Sequence, residues 1–195
     1  FHHEVAFPFP STDVATVEVT PQHLTLQAPD CYDRLGSFAQ MNPPIRNAEH
    51  QQALWEALRS GLVTVIGSDH APHTREEKAR PYPKSPSGMP GVQTLLPLML
   101  DHVNQGRLDL RRLVNLVCHA PARIYGMRGK GWLETGFDGD LTLVDMGARK
   151  TITHDQMASR CGWTPFDGKE VHGWPTATIV RGRVVMRDGE LIGTP

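Results

Sequence analysis

The 195-residue sequence predicts an α/β fold: a strand–helix–strand unit with a parallel sheet, then a smaller β region. Three observations predict it. The β-branched run Val14–Thr20, an amphipathic segment after Asn47 and the apolar run Leu62–Ile66 follow in the order that joins parallel strands through a helix. Near Gly126–Gly131 the pattern changes, and short β runs dominate from there to Pro195. Between these regions, Gly67-Ser68-Asp69-His70-Ala71-Pro72-His73 comes straight off the second strand. A carboxylate and two imidazoles are thereby delivered to that strand's carboxyl end, where β/α folds place their chemistry.

Taken in order, residues 1–13 carry little pattern, and Phe7-Pro8-Phe9-Pro10 cannot sustain a helix because each Pro removes a donor and restricts its predecessor. Val14–Thr20 reads as a strand that Pro21 ends. A loop holding Pro29-Asp30 and Gly36 follows, then the stiff extended stretch Asn42-Pro43-Pro44-Ile45-Arg46. Asn47 is placed as the N-cap of a helix running to about Arg59, with Ala53, Leu54, Ala57 and Leu58 as its apolar stripe and Gly61 as its stop. The second strand covers 62–68. The long loop 70–91 has the length of a lid or binding loop, and the charge run Arg75–Lys78 within it reads as a solvated face. Helices are expected over Val92–Asn104, Leu110–His119 and Ala122–Tyr125, and strands over Asp140–Val144, Thr176–Val180, Arg183–Met186 and Glu190–Ile192. Asp188-Gly189 is a two-residue hairpin signal. A domain boundary near 128 divides the chain into 1–127 and 128–195.

Composition narrows the function classes. Apolar residues make up 39% of the chain, enough for a packed core, and the formal charge of −1 carries no basic cluster for nucleic acid or an anionic membrane surface. No apolar stretch approaches the ~18 residues of a membrane span. Phe1-His2-His3-Glu4 has neither a signal-peptide pattern nor an initiator Met, which reads as a processed, truncated or excised chain. Cys31, Cys118 and Cys161 are too far apart for a thiolate zinc site or a disulfide framework, and read as buried or half-buried free thiols in a reducing cytoplasm.

The blocks Glu18-Val19-Thr20-Pro21-Gln22-His23-Leu24, Asn42–Arg46, Gly67–His73, Gly88-Met89-Pro90-Gly91-Val92-Gln93-Thr94 and Asn115–Gly126 occur in one order, with Gly162-Trp163-Thr164-Pro165-Phe166 and Thr178–Gly182 after them. Together they resemble the dihydroorotases of the amidohydrolase superfamily. Allantoinases and hydantoinases share several of the blocks; the ordered set carries the resemblance. It implies the C-terminal part of a TIM-type (β/α)8 metal-dependent hydrolase barrel over 1–127 and part of a small β-sandwich over 128–195. The implied reaction is reversible opening of the cyclic amide of dihydroorotate to N-carbamoyl-aspartate, in the cytoplasm, by a homo-oligomer with one or two zinc ions.

By the same resemblance Asp69 is both a metal ligand and the catalytic acid/base, a role that suits a carboxylate beside a cation. The metal's part is to lower the pKa of bound water and to polarise the scissile carbonyl. Asn42 and His73 are implied substrate ligands, with Pro90 and Gly91 offering main-chain groups to the ring. From the residues alone Asp69 can also be an N-cap or turn residue after a strand, Asn42 an Asx turn before Pro-Pro and His73 a surface histidine. His70 and His23 read as structural, and Trp163 and Trp174 as packing residues of the β region. Relatives usually place a His before the position of His23; Gln22 stands there.

The family's His-x-His on the first strand, its lysine or aspartate on the fourth and its histidines on the fifth and sixth should all precede Glu18, and only 17 residues do. His2 and His3 are adjacent, so on a strand they face opposite ways. Catalytic zinc takes about three protein ligands. The remaining ligands are therefore expected outside this chain, in the rest of the barrel or another subunit. Two further readings stay open. One is a related enzyme acting on allantoin or a hydantoin; the other is a non-catalytic subunit that binds aspartate transcarbamoylase.

Overall fold

The computed structural model describes residues 15–193, so the expectations for His2, His3, Phe7–Pro10 and Val14 lie outside the described residues. The described residues form two compact units: 15–95 with 153–167, and 96–152 with 168–193. Residue 128 lies inside the second of these.

The first unit carries the expected parallel pair. β1 (Glu18–Val19) lies beside β2 (Val65–Ile66) with Glu18 opposite Val65 and Val19 opposite Ile66. Both strands are shorter than their apolar runs, and no barrel closes among the described residues. After β1 the structure departs from the expected loop: Thr20 caps α1 (Pro21–Thr25), accepting a hydrogen bond from the His23 N–H. Pro21 stands where its missing donor costs nothing, so it opens a helix here. α2 (Asp30–Leu35) and a 3₁₀ turn (Gly36–Ala39) also occupy sequence expected to be loop. α3 (Ala48–Arg59) has Asn47 as its cap, as expected. Its Trp55 donates to the Leu24 carbonyl at 3.2 Å, and Gln51 donates to that of Leu26 at 2.8 Å, which ties α3 to α1. Leu58 and Trp55 enter the core. Ala53, Leu54 and Ala57, the rest of the expected stripe, face a cavity instead.

The loop 70–91 is tied down. It holds α4 (Arg75–Lys78), capped reciprocally by Thr74 and Glu77. The reading of Arg75–Lys78 as a solvated face is corrected at Lys78, which is fully buried and donates to the Gln40 and Pro86 carbonyls at 2.9 Å each. Burial pulls its ammonium down to about 8. Trp163 is a second correction: it belongs to this unit, edge-on to Phe38 with its indole N–H on the His73 carbonyl at 2.8 Å.

The second unit contains α5 (Leu95–Asn104, from Leu96 on), α6 (Leu110–Val114), a π-helical turn (Asn115–His119), α7 (Ala120–Ile124) and a four-stranded antiparallel sheet. The sheet runs in sequence order through β3 (Leu141–Thr151), β4 (Glu170–Val180), β5 (Arg183–Arg187) and β6 (Glu190–Leu191). Asp188 and Gly189 both take positive φ, 51° and 91°, as the expected two-residue hairpin requires. Trp174 lies on β4 as expected, with the Lys150 ammonium 5.4 Å from its ring centre. Cys118 is exposed, contrary to the expected burial; Cys31 is buried and Cys161 half-buried.

On α5, His102 is 3% exposed and burial pushes its imidazole down from 6.5 to about 4. The unfolded chain protonates this ring more readily than the fold does. Its contribution is therefore fully present above pH 6.5 and is lost as pH falls toward about 4. At about 1.36 kcal/mol per pKa unit the loss reaches about 3 kcal/mol. Urea unfolding from neutral to mildly acid pH is expected to show this difference between wild type and His102→Gln; parallel pH curves for the two would refute it.

Candidate functional site at the carboxyl ends of β1 and β2

Asp69 is three residues beyond β2, with φ of 41°, one of three described non-glycine residues at positive φ. Asp tolerates this conformation better than most residues, and such strain concentrates where a side chain must be aimed. The residues after it are pinned. His70 bridges to Met89, and its Nδ1 accepts from the Gly91 N–H at 3.1 Å and, more weakly, from that of Val92 at 3.4 Å. The sequence reading of His70 as structural agrees with these bonds.

Asp69 lines a cavity of about 630 Å³ that Glu18, Thr20, His23 and Asn42 also line. Glu18 lies across the end of β2: a methyl group on Gly67 would stand 2.3 Å from its carboxyl carbon, so Gly67 is the residue that admits it. Asn42 reaches the cavity from the double-proline stretch. The opposite wall is the apolar face of α3, Ala53, Leu54 and Ala57, joined by Leu62.

His23 links the two sides. Its Nε2 lies 2.9 Å from the Pro43 carbonyl, which can only accept, so that nitrogen carries the proton. Nδ1 then accepts from the Thr20 hydroxyl at 2.7 Å. Burial holds the ring below its ordinary range, against the opposing effects of the Pro43 hydrogen bond and the Asp69 charge.

Of the residues expected at the site, Asp69 and Asn42 share the cavity, and His73, Pro90 and Gly91 are not among its lining. His73 Nε2 donates to the Ser87 carbonyl at 3.0 Å, and its Nδ1 is 3.9 Å from Glu77. Pro90 and Gly91 are buried beside His70, and the Gly91 N–H and carbonyl are both used inside the fold, the latter by Leu95 and Thr94. Glu18 was not singled out from sequence; it opens β1, and its place in the cavity lining marks it.

Among the described residues no three His, Cys, Asp or Glu side chains converge as metal ligands. The described residues therefore do not by themselves fit a zinc ion, which takes about three protein donors. Asp69, an exposed carboxylate at a strand end, is one donor of such a set.

The amidohydrolase family profile matches residues 11–185. Over 178 residues the chain is 44% identical to a dihydroorotase of Halobacterium salinarum, an alignment covering 91% of this chain and 42% of that protein. It is 39% identical over 180 residues to an L-hydantoinase of Paenarthrobacter aurescens, covering 90% and 39%. Among solved structures, the L-hydantoinase (dihydropyrimidinase) from Arthrobacter aurescens superposes with a TM-score of 0.86 at 38% identity, over 91% of this chain and 40% of that one. The chain spans about two fifths of the length of the curated relatives it matches. A profile match along nearly the whole sequence, over the same residues that build the strand-end carboxylate and its cavity, settles the family: this chain belongs to the amidohydrolases.

Proposed function

We propose that the whole protein is a dihydroorotase: a zinc-assisted cyclic amidohydrolase that opens dihydroorotate reversibly to N-carbamoyl-aspartate. The observation that carries this is Asp69, held at positive φ beyond β2 and facing one cavity with Asn42 in an amidohydrolase chain. In this reading the chain supplies the last strands of a TIM-type barrel and part of a β-sandwich, 1–127 and 128–195.

Asp69 is the metal ligand this chain contributes to one or two zinc ions. Its carboxylate takes a proton from the attacking water and returns it to the ring nitrogen as the carbon–nitrogen bond breaks. Asn42 offers its amide to the ring. His73 is assigned to the substrate carboxylate, and Pro90 and Gly91 to the ring through their main chain. The other zinc ligands come from the remainder of the barrel or from a second subunit of a homo-oligomer. The enzyme is placed in the cytoplasm, where its three free thiols would stay reduced.

A hydantoin-opening activity is the second reading, favoured by the L-hydantoinase superposition. Steady-state assays of the whole protein on dihydroorotate, hydantoin and allantoin separate the two. We expect kcat/KM for dihydroorotate to exceed the others by about 10⁴-fold, the scale on which a site that pairs a substrate polar group rejects analogues lacking it. A larger value for hydantoin or allantoin would overturn the substrate assignment. No turnover on any of them would favour a non-catalytic subunit, for which co-sedimentation with aspartate transcarbamoylase is the readout.

A further inference from the structure

The turn after β1 touches both halves of the site. Gln22, on α1, is fully buried, and its Nε2 donates to the Ser68 carbonyl at 2.9 Å, one residue before Asp69. That carbonyl can only accept, which fixes the amide's orientation, and Gln22 Oε1 is left without a hydrogen-bond partner among the described residues. A buried amide oxygen left unpaired is destabilising, and what Gln22 gains in this arrangement is the bond made by its other end. Gly91 closes the third side: a methyl group there would stand 2.5 Å from Gln22 Nε2 and 2.4 Å from the Ser68 oxygen. His23, the next residue, holds the Pro43 carbonyl through Nε2, one residue after Asn42, and is itself oriented by Thr20. Two successive side chains of one short helix thus grip the backbone beside each of the two residues that share the cavity.

We propose that Gln22 and His23 are positioning residues that together set where Asp69 and Asn42 stand across the cavity, Gln22 acting on Asp69 and His23 on Asn42. The proposal rests on the dihydroorotase reading for its kinetic consequence and on hydrogen bonds alone for its geometry. Each grip is separate, so each has its own signature. A side chain that places the proton-transferring carboxylate affects the chemical step, whereas one that places a substrate ligand affects binding.

The test uses the whole protein. His23→Leu is expected to raise KM for dihydroorotate about tenfold with kcat within about twofold. Gln22→Leu is expected to lower kcat about tenfold with KM within about twofold, a modest share of the loss that ångström-scale misplacement brings. His23→Gln, which keeps an N–H donor toward Pro43, is expected to restore KM. Crystal structures of the two Leu variants give a readout independent of turnover: His23→Leu displaces 42–44 and leaves 67–70 in place, and Gln22→Leu does the reverse. Those displacements in a protein that does not hydrolyse dihydroorotate would refute the substrate reading and keep the clamp. Equal effects of both Leu variants on both constants, or unmoved backbone in both, would overturn the clamp. If either variant fails to fold, nitrogen-15 shifts of wild-type His23 at neutral pH decide: a neutral ring protonated on Nε2 supports the arrangement, and a proton on Nδ1 overturns it.

Discussion

Asp69→Asn in the whole protein is expected to lower kcat by about 10³-fold, within the range that a positioned proton-transfer group supplies. Asn is the informative replacement. It keeps the shape of the side chain and tolerates the same left-handed backbone, so the φ of 41° need not change. What it loses is the negative charge and the ability to take and return a proton at the carboxylate oxygen. Asp69 is exposed, so its removal leaves no buried partner stranded and Tm should stay within about 2 °C. Loss of turnover at unchanged Tm therefore assigns chemistry to this side chain. Turnover within tenfold of wild type would reduce Asp69 to a turn residue after β2, and the functional reading would lose its centre.

The same comparison ranks the two acids on the cavity. Glu18, the first residue of β1, lies over Gly67 and is also among the residues lining the cavity that Asp69 lines. Of the two, only Asp69 has a left-handed backbone, a conformation most residues avoid and Asp tolerates. Backbone strain at one carboxylate and ordinary strand geometry at the other point to Asp69 as the group whose direction matters most.

What could be read in advance followed local chemistry. Asn47 capping α3, and Asp188-Gly189 at a hairpin, are signals whose physics is complete within a few residues, and the structure places both as expected. The apolar strand leading to Asp69 was legible for the same reason. Other local signals were present but unread: Thr20-Pro21 as cap and first helical residue of α1, the Thr74–Glu77 capping box, and Arg181-Gly182, both at positive φ between β4 and β5. A third group was not legible at all. That Lys78 would be buried depends on two carbonyls, at Gln40 and Pro86, meeting its ammonium from separate segments. That Gln22 and His23 grip Ser68 and Pro43 depends on contacts 46 and 20 residues apart. For Lys78, charge set the expectation of a solvated surface and tertiary hydrogen bonds reversed it; for Gln22 and His23, no local signal named the carbonyls they reach. The site suffered likewise: Asn42 and Asp69 could be named from their motifs, but the cavity that joins them could not.

Trp163→Ala is expected to destabilise the first unit by about 3–5 kcal/mol, the cost of removing a large aromatic from a packed interior. The side chain is 1% exposed, sets its ring edge-on to Phe38 at 5.1 Å and 88°, and satisfies the His73 carbonyl at 2.8 Å. At roughly 2–4 °C per kcal/mol for a chain of this size, Tm should fall by about 10 °C or more. Trp163→Phe separates the two contributions. Phenylalanine keeps most of the apolar volume and the edge-on packing but has no N–H, so the His73 carbonyl loses its partner and the cost should fall to about 1–3 kcal/mol. That difference bears on function, because the carbonyl belongs to the histidine assigned to the substrate carboxylate. If the indole hydrogen bond holds that stretch of loop in place, Trp163→Phe should raise KM for dihydroorotate more than it lowers kcat. Thermal unfolding and steady-state kinetics on the same two variants check both statements. A Trp163→Ala protein that melts within about 2 °C of wild type would show that residues 153–167 contribute no packing to the unit that carries Asp69.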